Sequence, residues 1–351
     1  MRVLYLTKYS RKAASSRLRS YQYFPYLEEQ GFEITVKPLF NDIYLDNLYQ
    51  GKKSIGNVVL CYLKRFFLLF TILKYDKVVI EKELFPYLPA FAERVMAFLN
   101  VRYIVDYDDA IFHNYDLSKS KLIRFFLSKK IDKVMKYSGF VIAGNDYLAT
   151  RAKNAGAKNI IQIPTVIDIN RYHSKQLYDN NKPLVIGWIG SPSTFKYIKN
   201  IFPALEKVIQ DNTVLLHLIG MSKKNDANSQ ILYIPWEENT EVDYICQFDI
   251  GIMPLENTPW ELGKCSYKLI QYMGCGIPVV ASSIGMNNQV VEDGSNGFLV
   301  ENEAEWIEKI SVLLNDPLLR KTFGKKGRLK VEQEFSIQNR VSQVQSILTY
   351  E

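Results

Sequence analysis

The sequence predicts an α/β protein of two doubly wound parallel-sheet (Rossmann-like) domains. Three observations carry that expectation. Short apolar runs that suit buried strands alternate with longer segments of helical periodicity from the first residues onward. The alternation restarts at Leu184, after a polar stretch, His173–Lys182, that reads as a linker. A length of 351 residues suits two domains, each able to bury its own core. The expected division is 1–172 and 183–335, followed by a last helix over 336–351.

Arg2–Thr7 opens the chain as a buried strand. Ser16–Gln30 follows as a helix, because Leu18, Tyr21, Phe24 and Leu27 recur at helical spacing. Gly31 closes it, and Phe32–Pro38 is the next strand. Asn41–Asn57 reads as loop, Val58–Leu73 as helix and Lys77–Glu81 as strand. Pro86 and Pro89 break the chain before a helix at Ala90–Leu99 and a strand at Arg102–Asp106. Lys119–Lys136 is a basic amphipathic helix whose Leu122, Phe125, Phe126 and Ile131 pack inward or touch lipid. A core helix with a charged outer face is the commoner arrangement, and binding to an anionic membrane is the alternative. Gly139–Ala143 and Asn159–Pro164 complete the strands of the first half.

The second half begins with strands Leu184–Ile189, Val214–Ile219 and Ile231–Ile234. Phe248–Gly285 then reads as strand Asp249–Pro254, loop Glu256–Gly263, helix Cys265–Met273 and strand Ile277–Ala281, a unit that implies parallel pairing. Turn signals at Asp293-Gly294 and Asn296-Gly297 precede a strand at Phe298–Val300. Helices are expected at Glu303–Leu314, Pro317–Phe335 and Ser336–Tyr350.

Hydrophobic residues make up 47% of the chain and charged residues 23%, as in soluble globular proteins. The formal charge of +7 favours anionic partners or an anionic membrane surface. No nucleic-acid motif is present. Cys61, Cys246, Cys265 and Cys275 show no metal-ligand spacing and read as free thiols of a reducing compartment. Cys265 sits at an expected helix N-terminus, where a thiol pKa falls; a small buried residue is the plainer role. The strand at Arg2–Thr7 leaves no signal peptide. The apolar run Phe66–Leu73 is far short of the roughly 20 residues needed to span a bilayer. The expected location is therefore cytoplasmic, at most peripheral to the inner face of a membrane.

The chemistry concentrates at strand ends and helix starts. Gly263 allows close backbone approach, Lys264 enters the helix, and Lys268 lies one turn on. Two ammonium groups at a helix N-terminus describe a diphosphate cradle, and Gln271 would reach sugar hydroxyls. Two solvated surface lysines are the plain alternative. Ser16, Arg17 and Arg19 open the first helix, where arginines clamp an acceptor or a phosphate, or simply face water. Asp106 ends a strand, and Asp108 and Asp109 follow it, where α/β sites are built. They also fit a helix cap, or a carboxylate pair on a divalent metal. Gly190, Ser191, Ser193, Thr194 and Lys196 offer a second anion-binding turn, or a plain capping sequence.

Gln271-Tyr272-Met273-Gly274-Cys275-Gly276-Ile277-Pro278-Val279-Val280 resembles the nucleotide-sugar signature of the group 1 (family 4) retaining glycosyltransferases. Trp260-Glu261-Leu262-Gly263-Lys264-Cys265 and Lys268-Leu269-Ile270-Gln271-Tyr272-Met273 match a branch of that family. In most of the family a Glu stands at each of the positions held here by Gly263 and Gln271; Glu261 is the nearest acid to the first. The resemblance implies the GT-B fold, with the two domains facing across a cleft and the last helix packing back on the first. It implies transfer of a hexose from a nucleoside diphosphate sugar to an acceptor hydroxyl with retention, without metal or cofactor, in polysaccharide or glycolipid synthesis. The acceptor would be a sugar or lipid-linked. Lys264, Lys268, Gly190, Ser191, Ser193, Thr194 and Lys196 would hold the diphosphate, and Gln271 the ribose. Gly285, Met286 and Asn287 would close over the sugar, with Trp236 beside the base. Glu261, Asp108 and Asp109 would serve the reacting sugar, and Ser16, Arg17 and Arg19 the acceptor. Two rivals remain: a non-catalytic nucleotide-sugar-binding protein, and a metal-dependent transferase using Asp106 and Asp108.

Overall fold

A computed structural model of the chain describes residues 1–52, 54–175, 178, 183–221 and 229–350. Residues 176, 177 and 179–182 of the expected linker lie outside the described residues. Contacts divide the chain into two compact units. The first is Met1–Thr165 with Gly263–Cys265 and Arg340–Glu351; the second is Val166–Leu262 with Ser266–Asn339.

In the first unit, β1 (Arg2–Leu6), β2 (Glu33–Val36), β3 (Lys77–Glu81), β4 (Ile104–Tyr107), β5 (Phe140–Ala143) and β6 (Ile160–Gln162) form one parallel sheet. Its order is β2-β1-β3-β4-β5-β6, so the strand order reverses between β1 and β3. In the second unit, β7 (Leu184–Ile189), β8 (Val214–Ile219), β9 (Ile231–Ile234), β10 (Ile250–Met253), β11 (Val279–Ser282) and β12 (Gly297–Val300) pair in the order β12-β11-β10-β7-β8-β9, again all parallel. The reversal here falls between β7 and β10. In open α/β sheets such reversal points leave a crevice at the carboxyl ends of the strands. They direct attention to Lys8 and Lys82 in the first unit and to Gly190 and Pro254 in the second.

Both faces of the second sheet are buried, which is why its strands read as continuous apolar runs. Ile186, Trp188 and Leu216 pack on the helices Phe202–Asp211 and Glu303–Asn315, through Leu205 and Ile310 among others. Val185, Ile189 and Val279 pack on the helix Tyr267–Gly274, through Leu269, Ile270 and Met273.

Several helices differ from expectation. The segment expected as one helix over Ser16–Gln30 is three pieces, Ala14–Arg19, a 3₁₀ turn at Tyr21–Tyr23, and Phe24–Glu29. Pro25, which lacks an N–H, is tolerated only in a first turn, so the helix restarts there. Asn41–Asn57, expected as loop, contains a helix at Asp42–Tyr49, capped by the Asn41 side chain accepting from Tyr44 N–H. Lys119–Lys136 is two helices, Lys121–Leu127 and Lys130–Tyr137; Ile131 is buried, but Leu122, Phe125 and Phe126 are exposed. The loop over Glu256–Gly263 contains a helical turn, Pro259–Leu262. The Phe66–Leu73 run belongs to a longer element, helix Ile55–Leu68 continued by a 3₁₀ stretch to Lys74.

Candidate functional site

At the carboxyl end of β7 the chain turns through Gly190, whose N–H donates to Ile219 O at 3.0 Å. A Cβ there would meet the Trp188 ring at 2.3 Å. Gly220, at φ +88°, closes the same turn from β8; a Cβ on it would lie 1.8 Å from Gly190 O. The following hydroxyls bond within the turn rather than capping the six-residue helix Phe195–Asn200. Ser191 N–H donates to Thr194 Oγ1 at 3.0 Å, and the Ser191 and Ser193 hydroxyls meet at 2.8 Å. This cluster is exposed.

Beyond β10, Glu261 is 2% exposed and faces two hydroxyls and an ammonium. Tyr197 and Thr258 hydroxyls bond its carboxylate, and Lys196 Nζ stands 3.7 Å away. Lys196 also pairs with Glu256 at 3.1 Å. Lys196 and Glu261, both sequence candidates, are thus brought together at the reversal point of the second sheet. Tyr197, Thr258 and Glu256 were not anticipated; the signal open to inspection was the acid pair Glu256 and Glu261 flanking a polar loop.

Lys268 Nζ lies 5.7 Å from the centre of the Trp188 ring, on the same strand end. Its helix begins at Tyr267, not at Cys265, because Ser266 adopts the left-handed conformation at φ +52°. Ser266 is fixed there by its hydroxyl donating to Asn287 Oδ1 at 2.7 Å, while Asn287 Nδ2 donates to Ser282 O at 2.9 Å. Lys264 therefore precedes the helix, and the expected one-turn relation to Lys268 does not hold. Gln271 is buried, and its amide donates to Tyr172 OH at 3.0 Å. Trp236 donates through Nε1 to Glu241 at 2.8 Å. Gly285 adopts φ +53° in the turn before Met286 and Asn287, which are both buried.

The segment Gly263–Cys265 belongs by its contacts to the first unit. A Cβ on Gly263 would lie 2.4 Å from Ala110 Cβ, so this glycine serves a close approach of protein chain. Lys264 O accepts from Asn145 Nδ2 at 2.9 Å. Cys265 is buried, its thiol donates to Asp108 O at 2.8 Å, and burial pushes its pKa up to about 12. The lowered pKa expected of a helix N-terminus is thus reversed, since residue 265 is outside the helix and shut away from water.

The carboxyl ends of β3 and β4 carry a buried charge cluster. Lys82, at φ +68°, bonds Asp108 at 2.8 Å and stands 3.5 Å from Asp109. Burial opposes its charge, but Asp108 and Asp109 outweigh that and hold its pKa well above the ordinary value. Burial likewise opposes the Asp108 charge, yet Lys82 beside it brings that carboxyl below its ordinary range. Neither aspartate caps the helix His113–Asp116, whose cap residue is Phe112. Arg19 is buried against Asp106, with Nη2 and Nε donating to its two oxygens at 2.5 and 2.9 Å, and with Nη1 donating to Ile163 O at 2.9 Å. Ser16 donates to Glu81 at 2.6 Å. Arg17 is also buried. Lys82 escaped the sequence reading, although Glu81-Lys82-Glu83 directly after an apolar strand was a visible sign of charge at a sheet end.

The Asp106 and Asp108 carboxylates each face a buried cation, which is a poor donor set for a divalent metal. Among the described residues no group of three or more His, Cys, Asp or Glu side chains could hold a metal ion.

Residues 183–316 match the family model described as Glycosyl transferases group 1. Among curated proteins, the capsular polysaccharide biosynthesis glycosyltransferase CapM of Staphylococcus aureus is 25% identical over 197 residues, 52% of this chain and 50% of that one. Spore coat protein SA of Bacillus subtilis is 32% identical over 156 residues, 43% of this chain and 35% of that one. The chain thus spans half or less of the length of these two relatives. Among solved structures, HepE of Anabaena in complex with UDP-glucose superposes with a TM-score of 0.69 at 17% identity, over 100% of both chains. WaaG, a glycosyltransferase involved in lipopolysaccharide biosynthesis, gives 0.70 at 13% identity, also over 100% of both chains. With the two six-stranded parallel sheets, these likenesses show the two-domain GT-B fold.

Proposed function

We propose that the chain is a glycosyltransferase that moves a hexose from a nucleoside diphosphate sugar to an acceptor hydroxyl with retention, in polysaccharide or glycolipid synthesis. The observation that carries this reading is the group 1 match over residues 183–316, which spans β7 to β12 and every second-unit candidate. The presence of UDP-glucose in the HepE structure and the capsular role in CapM's name support a nucleotide-sugar donor and a glycan product.

In such a reaction negative charge develops on the leaving diphosphate and positive charge on the sugar ring. Lys268, with Lys196 and the Ser191–Thr194 hydroxyls, supplies donors for the first. Lys264 adds a further ammonium. Glu261 and the Asp108–Asp109 pair are the carboxylates assigned to sugar hydroxyls and ring charge. Gln271, Gly285, Met286 and Asn287 border the ribose and sugar, Trp236 flanks the base, and Ser16, Arg17 and Arg19 serve the acceptor side. The chemistry needs no metal, because fixed ammonium groups perform the charge stabilisation. The enzyme acts at the inner face of a membrane, in peripheral contact with anionic lipid.

The test begins with a thermal-shift screen of nucleoside diphosphates and their sugars, since a ligand bound only by the folded chain raises Tm. With the donor so identified, Lys268→Ala lowers transfer roughly 10- to 100-fold at unchanged Tm, the loss of a charge-assisted contact. EDTA in the same assay leaves the parent rate unaltered. Transfer at the parent rate by Lys268→Ala removes this lysine from the site, and a bound donor that no acceptor turns over makes the chain a nucleotide-sugar-binding protein.

A further inference from the structure

The element Ile55–Lys74 is twenty residues long, and an 18-residue window within it has a mean hydropathy of 1.6 with only 17% of it buried. It is thus long and apolar enough to cross a membrane, unlike the short run read from the sequence. Its buried face is fixed to the sheet. Arg65, 2% exposed, donates through Nη2 to Thr7 O at 2.9 Å and Lys37 O at 2.8 Å, the carbonyls that follow β1 and β2. Cys61 packs with Leu39 and Phe40. The opposite face carries Ile55, Phe67, Phe70 and Leu73, exposed by 79, 65, 73 and 71%. Apolar surface on this scale marks a place of contact.

Two more exposed apolar segments are linked to it through one loop. Tyr62 OH donates to Pro86 O at 2.8 Å, which ties the helix to the loop leading into Phe91–Phe98, where Phe91 and Phe98 are exposed. From the same loop Tyr87 N–H donates to Tyr115 OH at 3.1 Å, and Lys130 Nζ donates to Phe85 O at 2.5 Å. Residues 115 and 130 flank the helix Lys121–Leu127, which exposes Leu122, Phe125 and Phe126.

Along the chain, the exposed charges within these segments have one sign. No acidic residue occurs between Asp46 and Asp76, where Lys52, Lys64 and Lys74 stand, nor between Asp116 and Asp132, where Lys119, Lys121, Arg124 and Lys129 stand. Between Glu83 and Asp106 the one acid is Glu93, which is buried and accepts from Leu84 N–H at 3.0 Å.

We propose that this face of the first unit docks on an anionic lipid bilayer, with Ile55–Lys74 lying in the headgroup plane instead of crossing it. Crossing would tear Arg65 from its two carbonyls, whereas an in-plane helix keeps them and buries the Phe67–Leu73 side in the acyl boundary. The surrounding ammonium groups meet lipid phosphates. A symmetric pair of chains would set the same cations against each other, so a second copy is the wrong occupant. The inference deepens the membrane contact of the functional reading and rests on that part alone.

The test uses the full chain with vesicles of phosphatidylcholine alone and of equal phosphatidylcholine and phosphatidylglycerol, read by co-sedimentation. Partition onto the anionic vesicles exceeds that onto neutral ones at least tenfold, and falls between about 0.1 and 1 M salt as screening shortens. Phe67→Ser, Phe70→Ser and Leu73→Ser together reduce it at least tenfold more, at an unchanged Tm, because apolar burial is lost. Equal partition by parent and triple variant, or a parent that stays off anionic vesicles, overturns the proposal. So does a concentration-dependent dimer that the triple variant abolishes. UDP, GDP, ADP and dTDP, run as thermal-shift probes on both proteins, separate the two readings: a shift in Tm without vesicle binding sinks the docking face and leaves the transferase, and vesicle binding with none of the four bound does the reverse.

Discussion

Lys82 combines two costs, a left-handed backbone at φ +68° and a buried ammonium, and recovers them through Asp108 and Asp109. Replacing it by Met leaves carboxylates without their cation, so Lys82→Met lowers stability by about 3–5 kcal/mol at neutral pH, measured by urea unfolding. The pH dependence follows from the shifts. Asp108 has a depressed folded pKa, so its contribution is present above its unfolded value of about 3.9 and disappears as pH falls through the folded one. Lys82 has a raised folded pKa, so its contribution is present below about pH 10.4 and is lost as pH rises through the folded value. The gap between parent and variant therefore narrows as pH falls, because the Asp108 left without its cation takes up a proton more readily than in the parent; a gap that widens in acid contradicts the assignment. The sequence identified Asp108 and Asp109 as chemistry at a strand end. It could not identify their partner, because a lysine one residue past β3 reads as surface charge until the β3–β4 pairing sets it beside them. Arg19 is the converse: its place at a helix start suggested an exposed clamp, and the fold spends it on Asp106.

The strands were legible because a parallel strand buried on both faces is a short apolar run, and β3, β7, β8 and β9 have the residues read from the sequence. The helices were less so. Their ends depend on local exceptions such as Pro25, the Asn41 cap and the left-handed Ser266, which apolar periodicity does not register. The turn made by Gly190 and Gly220 is another such exception, set by contact between two loops remote in sequence. Gly220→Ala adds a Cβ 1.8 Å from Gly190 O as well as left-handed strain, whereas Gly294, at φ +69°, has nothing within 4 Å. Gly220→Ala therefore destabilises by about 3 kcal/mol and Gly294→Ala by about 1 kcal/mol, as compared by Tm. Equal losses would mean that the turn yields freely and that the contact is unimportant.

At the scale of the molecule, each unit is assembled from separated pieces of chain. The first gains Arg340–Glu351, whose Val344, Ile347 and Leu348 are buried. Side chains of this size contribute about 1.5–3 kcal/mol each, so together they approach the whole stability of a small domain. Removing residues 340–351 thus opens β1–β6 to hydrogen exchange while β7–β12 keep their protection; equal protection of both sheets in the shortened chain would refute this. The same arrangement imposes an order on biosynthesis. Every strand of the first sheet has left the ribosome before β7 appears, yet the strip that finishes its core emerges only after all of the second unit. The nascent first unit must wait, incomplete, through translation of the very residues that match the transferase family, and is exposed to chaperones for longer than its place ahead of the second unit suggests.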